Sequence, residues 1–299
     1  MSHTSDEIAS QPRAWRAAAA MAQDGSELPR SGERVAVVGC GTSFYVAQAY
    51  AALREATGHG ETDAFAASEM PRGRSYDRVL ALTRSGTTTE VVELLEALRE
   101  RTPTVVVTAD GDTPASEVAD HVVVLDFADE RSVVQTRFAT STLVLLRAHL
   151  GQDTSGLADE AERALARELP AAARDAEQLT FLGRGWTCGI AQEAALKLRE
   201  ASGAWTEAYP AMEYRHGPIS ISGPNRVTWM FGTPPDGLSA EVARTGGTFI
   251  PSELDPLAEL VVVQRLAVER AVARGLDPDR PRHLSRSVIL ATSDGQAGD

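Results

Sequence analysis

Short apolar runs alternate with stretches of helical period along this chain. Val35–Val38, Arg78–Leu82, Thr104–Thr108 and His121–Leu125 are valine- and leucine-rich with little polar alternation, the pattern of strands covered on both faces of a parallel sheet. Between them, Tyr45–Ala56, closed by Gly58, and Thr89–Glu100 read as helices. Strands alternating with helices predict βαβ units and a doubly wound parallel sheet, an α/β fold. A segment rich in Ala, Glu and Arg then reads as a connecting helix, before a strand opening at Gln178. Further strands are predicted near Arg226–Phe231 and at Thr248–Ile250, with a long helix over Leu257–Gly275. Beyond that helix only Ser287–Leu290 has a clear apolar pattern.

The pattern is written twice. Arg34–Thr42 (RVAVVGCGT) aligns with Gln178–Trp186 (QLTFLGRGW), Leu53–Gly58 with Leu198–Gly203, and Ala64–Gly73 with Ala208–Gly217, in the same order and offset by roughly 145 residues. That period suits duplicated domains, not a solenoid. The predicted organisation is an N-terminal helical segment (1–32), a first domain (33–152), a connecting helix (153–177) and a smaller second domain (178–299).

Composition narrows the function classes. The net charge of −13 at pH 7 argues against nucleic acid or an anionic membrane as a main partner, while allowing a small phosphorylated ligand in a local cradle. No apolar run approaches the about 18 residues of a membrane span and no signal sequence opens the chain, so a cytoplasmic location is expected. Cys40 and Cys188 make no disulfide framework, and the six histidines show no metal-ligand spacing.

Of the 29 cationic side chains only Lys197 is a lysine. A guanidinium meets most demands for positive charge, but it stays planar and charged. An ammonium acts as a compact point charge beside a developing oxyanion. Glu193, Lys197 and Glu200 fall at i, i+4 and i+7, on one face of a helix. A solvated salt-bridge ladder is the competing reading.

Gly39-Cys40-Gly41 follows a strand, but position 44 is Phe and no ribose-binding acid follows, so a dinucleotide site is weakly supported; a Walker motif is absent. No cofactor is implied. Leu82-Thr-Arg-Ser-Gly-Thr-Thr-Thr-Glu90 is more specific, because it clusters hydroxyls around a glycine between a strand and a helix. Free N–H groups and the helix dipole there suit a phosphate dianion, and an ordinary helix cap is the alternative. The equivalent stretch of the second copy, Phe231–Gly237, has lost the hydroxyls, while that copy has gained Lys197 and His216. One half keeps an anion cradle and the other keeps acid–base groups.

These motifs together resemble the double SIS (sugar isomerase) domain proteins. The likeness is to the isomerase portion of glucosamine-6-phosphate synthase, and to stand-alone amino-sugar-phosphate deaminases/isomerases and fructosamine-6-phosphate deglycases. Glu7–Pro12 resembles the family's leading helix, Cys40–Ser43 its first ligand loop, and Thr83–Thr88 its phosphate loop. Glu193–Glu200 resembles its catalytic helix, Glu213–Pro218 its histidine loop, and Pro281–Val288 its C-terminal motif. The resemblance implies two tandem domains, each a flavodoxin-like parallel sheet flanked by helices. It implies Glu200 as the base moving a proton between C1 and C2, His216 assisting ring opening from the partner subunit of a homodimer, and Lys197 near the reacting oxygen. Cys40, Gly41, Thr42, Ser43, Thr83, Arg84, Ser85, Gly86 and Thr88 would hold the phosphorylated sugar. Val133 and Gln135 of Ser132–Arg137, which resembles a segment of the stand-alone relatives, would join them, with Glu193 beside the site.

Two departures matter. The sequence carries no glutaminase domain, so ammonia from glutamine is not expected. The family lysine of the C-terminal motif is Arg286, which cannot form an imine but could bind phosphate or hydroxyl. The leading expectation is an enzyme that isomerises or deaminates an amino-sugar phosphate through an enediol(amine). The alternative is a non-catalytic sugar-phosphate sensor.

Overall fold

The computed structural model describes residues 2–22 and 27–290. Two helices lead, α1 (His3–Ala9) and α2 (Gln11–Met21). Next come β1 (Val35–Gly39), α3 (Thr42–Ala56), β2 (Thr62–Ala66), β3 (Arg78–Leu82), α4 (Thr89–Leu98), β4 (Thr104–Thr108), α5 (Pro114–Val118) and β5 (His121–Val124). Helices α6 (Arg137–His149), α7 (Leu157–Ala166) and α8 (Ala171–Arg174) lead to β6 (Gln178–Gly183), α9 (Thr187–Ser202) and β7 (Trp205–Pro210). The chain continues through β8 (Arg226–Met230), α10 (Leu238–Arg244), β9 (Thr248–Ile250), α11 (Pro256–Ala273) and an irregular segment.

The α/β expectation holds. One sheet has the order β2-β1-β3-β4-β5 and the other β7-β6-β8-β9, and every pairing is parallel. Strand order reverses between β1 and β3, and again between β6 and β8. In open parallel sheets such switch points leave a crevice beyond the strands' carboxyl ends, where ligands bind.

Alternation along each strand builds the layers. Val35 and Val37 face a core shared with Leu179, Phe181 and Trp229 of the second sheet, into which α3, α6, α9 and α11 also pack. Ala36, Val38, Val79 and Ala81 face the other way, onto α4 and α5. Leu182 and Met230 meet Tyr214, Leu238 and Val242 on the far side of the second sheet. Each fully buried aliphatic side chain contributes about 1.5–3 kcal/mol, which explains the apolar runs.

Corresponding turns in the two halves match. Gly41 and Gly185, each leading into a helix after the first strand of its sheet, both have φ of 54°. Helix α9 crosses α3 closely at Gly189, where an added Cβ would lie 2.5 Å from the Tyr45 carbonyl oxygen. Only a residue without a side chain permits that approach.

Some expected boundaries shift. The segment predicted as one connecting helix is two, because Arg167 turns extended and Leu169 precedes Pro170, which disfavours helical geometry before it. The leading segment also breaks at Ser10, and Pro12 lies in the first turn of α2, where a missing N–H costs little. Helix α4 stops at Leu98, and Glu100 then adopts φ of 61°. Ser287–Leu290 joins neither sheet; Val288 accepts a hydrogen bond from Thr89 N at 3.1 Å.

Candidate active site

The two loops singled out in the first half both leave the carboxyl ends of β1 and β3, on either side of the switch point. Cys40–Ser43 opens α3, and Thr83–Thr88 joins β3 to α4. Thr88 stands at the cap position of α4, yet its hydroxyl makes no capping bond. The ordinary-cap reading therefore does not account for it. Ser43 and Thr83 are buried residues whose hydroxyls lack protein partners among the described residues. Gly86 has φ of 62° and lies against Thr113.

The sequence reading missed Ser287 as a member of this cluster. Its hydroxyl lies 3.2 Å from Ser85 Oγ, 3.0 Å from Thr87 Oγ1 and 3.3 Å from Thr88 Oγ1. It belongs to the C-terminal motif already noted, but pattern alone could not reveal that the segment folds back over a loop two hundred positions earlier.

Arg84 and Arg286 are engaged away from these hydroxyls. The buried Arg84 guanidinium donates to the carbonyls of Ser132 at 3.0 Å, Val133 at 3.4 Å and Arg286 at 3.1 Å. It thereby ties the 83–88 loop to the 132–133 loop and the C-terminal segment. Arg286 donates to the Glu130 carbonyl at 3.1 Å and pairs with Asp129 at 2.5 Å. Gln135 carries a buried amide oxygen with no partner, an acceptor left for a ligand or water. Burial pushes the half-buried Cys40 thiol up to about 11, with Glu90 adding to the shift, so it is a protonated wall residue and not a nucleophile.

The second half supplies the charges. The α3–α9 crossing carries Lys197 across to the first half, where Nζ donates to Thr42 Oγ1 at 2.9 Å. The same ammonium meets Glu200 Oε2 at 2.6 Å and Glu193 Oε1 at 3.4 Å. Lys197 and Glu193 are each only 1 % exposed, which excludes the solvated-ladder reading. Glu200 keeps 19 % of its side chain open and so forms the accessible edge of the triad.

Burial pushes the Lys197 pKa down, but Glu193 and Glu200 outweigh it and hold the ammonium above its ordinary value. Burial drives the Glu193 carboxyl up to about 8; Lys197 opposes the shift and Glu200 reinforces it. Neither Glu193 oxygen has a well-formed hydrogen bond. A fixed positive charge thus lies between an accessible carboxylate and a carboxyl that resists ionisation, next to the loop carrying Ser43.

His216 lies elsewhere in the chain. It ends a short 3₁₀ turn, Glu213–His216, after β7, is exposed, and makes no hydrogen bond or ion pair to Lys197 or Glu200. In the second half, the β6/β8 crevice is bridged by Thr187, whose hydroxyl donates to the Phe231 carbonyl at 3.0 Å. The first crevice carries the denser hydroxyl cluster, with Ser85, Thr87 and Thr88 bonded to Ser287.

Residues 28–150 match the SIS domain family. Among curated proteins, the chain is 31 % identical over 320 residues to the glutamine–fructose-6-phosphate aminotransferase (isomerizing) of Thermus thermophilus, covering 88 % of this chain and 53 % of that protein. The enzyme of the same name from Methanothermobacter thermautotrophicus is 29 % identical over 306 residues, covering 86 % and 52 %. The chain spans about half the length of these curated relatives. Among solved structures, glucosamine-6-phosphate deaminase of Thermotoga maritima is similar with a TM-score of 0.79 and 25 % identity, covering 97 % of this chain and all of that one. Tagatose-6-phosphate ketose/aldose isomerase of Escherichia coli shares the fold, with a TM-score of 0.77 at 19 % identity over 98 % and 97 % of the two chains. Residues 28–150 are thus similar to the SIS domain family, and most of the chain is similar to isomerizing glutamine–fructose-6-phosphate aminotransferases and to a glucosamine-6-phosphate deaminase.

Proposed function

We propose that this protein isomerises a phosphorylated sugar or amino sugar, with its second half a second domain of the same kind and its active unit a homodimer. One observation carries the reading. The sole lysine is buried between Glu200 and Thr42, so it joins the acid–base helix of one half to the ligand loop of the other.

The hydroxyls of Ser43, Thr83, Ser85 and Thr88 hold the 6-phosphate. Glu200 removes the C2 proton and returns it to C1, while a proton moves from O2 to O1. No electron acceptor is needed. Lys197 stabilises the negative charge developing on the sugar oxygen, a task for which a buried point charge is well suited. With a 2-amino sugar the same proton transfer leaves an imine at C2. Water adds there, ammonia leaves, and the ketose phosphate remains. The exposed position of His216, apart from its own chain's Glu200, is consistent with service to the partner subunit.

The test is a panel of glucosamine, galactosamine, fructose and fructosamine 6-phosphates, following ammonium release and ketose formation together. Glu200→Gln is expected to lower kcat by at least about a hundredfold, the range of a lost general base, while sugar-phosphate binding persists. Retention of most activity by that variant would remove Glu200 from the role of base.

A further inference from the structure

Residues 129–136, which lead into α6, belong to no helix or strand, so their backbone groups must find partners outside a ladder. Three buried charged side chains supply most of them. Glu7 of α1 accepts from Arg131 N at 2.6 Å, from Ser132 N at 3.3 Å and from the Ser132 hydroxyl. Glu130 accepts from Thr136 N and Oγ1, both at 2.6 Å, and from Arg137 N at 2.9 Å. Arg84 takes the carbonyls of Ser132 and Val133, with its Nη1 3.7 Å from Glu130 Oε2.

Glu130 lies in the segment and Arg84 in the 83–88 loop, but Glu7 reaches in from 124 residues away in sequence. Helix α1 is itself held in place. The Asp279 carboxylate accepts from His3 N at 2.8 Å and from Thr4 N and Oγ1, each at 2.7 Å. The Asp279 carbonyl accepts in turn from Val133 N at 3.3 Å. Helix α1 is thereby joined to the same segment by two routes, and Glu7 has little freedom to swing.

The held segment meets both parts of the proposed site. Its carbonyls bind Arg84 of the 83–88 loop, and its Val134 and Thr136 share a narrow closed gap with Lys197 and Ala201 of α9. Between those two residues stands Gln135, whose buried amide oxygen has no partner. Such an acceptor suits a hydroxyl or amine of the sugar and not the phosphate, whose oxygens also accept. Glu7 is only 4 % exposed and is saturated by donors, so it does not contact substrate. Its influence on the site runs through the turn it holds.

We propose that Glu7 is a positioning residue for substrate binding: it fixes the 131–134 turn so that Gln135 accepts a hydrogen bond from a hydroxyl or amine of the sugar. This rests on the reading of the site as one for a phosphorylated sugar, and adds how the body of that sugar is held. A glutamine at position 7 keeps the length of the side chain. Its oxygen accepts from both N–H groups, and its amide donates to the Ser132 hydroxyl, which turns its own hydrogen to the Val134 carbonyl at 2.9 Å. Alanine offers none of these contacts.

The experiment is a double-mutant cycle on the full chain, with glucosamine, galactosamine, fructose and fructosamine 6-phosphates as probes. It reads kcat, KM and calorimetric affinity, with thermal unfolding alongside. Gln135→Ala is expected to raise KM by about fivefold, the loss of one neutral hydrogen bond, while kcat changes by less than about twofold. Glu7→Ala is expected to do the same. The two together should add no more than about twofold to either alone, because both remove one contact. Glu7→Gln is expected to bring KM back to within about twofold of wild type, since it keeps the acceptor and the length. Should Glu7→Ala fail to fold, Ser132→Ala takes its place in the cycle, because it breaks the Glu7 contact and leaves α1 anchored. Single effects that multiply to about twenty-five-fold, an unchanged KM in either single variant, a fall in kcat at constant KM, or no rescue by Glu7→Gln overturn the inference. Those outcomes leave the isomerase reading standing, whereas a wild type that binds none of the four sugar phosphates overturns both.

Discussion

Replacing Glu193 by glutamine is expected to change how stability depends on pH, in a direction the triad geometry dictates. Glu193 is buried, with Nζ of Lys197 at 3.4 Å and no well-formed hydrogen bond. Burial raises its pKa from the ordinary 4.5 to about 8. The unfolded chain therefore loses this proton near 4.5, whereas the native protein keeps it until about 8. Within that window the native state binds more protons, so raising the pH destabilises it. Integrated from pH 6 to pH 9, the loss is about 2–3 kcal/mol, levelling off once the folded group has ionised. Glutamine keeps the shape without the titration. The Tm difference between variant and wild type is thus expected to shift in favour of the variant by roughly 3–5 °C over the same interval. Thermal unfolding at pH 6, 7, 8 and 9 for both proteins, followed by circular dichroism, measures it. Parallel profiles, or a wild type that gains on the variant with rising pH, would show that Glu193 is ionised in the native state and that the triad carries a different charge.

Ser85→Ala combined with Thr88→Ala is expected to weaken binding of phosphorylated sugars by at least about tenfold, the loss of hydrogen bonds to a charged group. Binding of the unphosphorylated sugars should not change, and equal losses in a calorimetric comparison would remove the cradle from phosphate binding. Lys197→Arg places a larger planar group among partners at 2.6, 2.9 and 3.4 Å. It is expected to cost about 1–3 kcal/mol of stability through overpacking and at least about tenfold in kcat, or roughly 1.4 kcal/mol; unchanged unfolding and rates would contradict the buried-charge argument. Mixing inactive Glu200→Gln with inactive His216→Ala is expected to restore activity, since heterodimers regain one intact site. No recovery after verified subunit exchange would place His216 outside a shared site.

The sequence revealed those elements whose burial is symmetric. Arg78–Leu82 and Thr104–Thr108 fall where expected, because strands covered by helices on both sides must be continuously apolar, or nearly so. The edge strands His121–Val124 and Thr248–Ile250 were legible from their apolar residues, whereas Thr62–Ala66 and Trp205–Pro210 escaped notice because polar and half-exposed residues blur the run. The repeat nevertheless paired those regions. Within the site, the register of Glu193, Lys197 and Glu200 was readable from spacing on one helix. The contact between Lys197 and Thr42 was not, because it depends on how closely two helices cross. Nor could spacing show that Arg84 would be consumed by three carbonyls, or that Ser287 would enter the hydroxyl cluster. Those depend on the path of an irregular segment without periodicity.

The close crossing at Gly189 has a consequence for assembly of the chain. Lys197 is covered by Thr42, from the other half, and Glu193 shares its environment. Withdrawal of these charges from water therefore requires both halves to be in place, across a separation of 155 residues. Because burial lets Glu193 keep its proton up to about pH 8 in the native protein, folding near neutral pH is expected to take up a proton, readable by a pH indicator in weakly buffered solution.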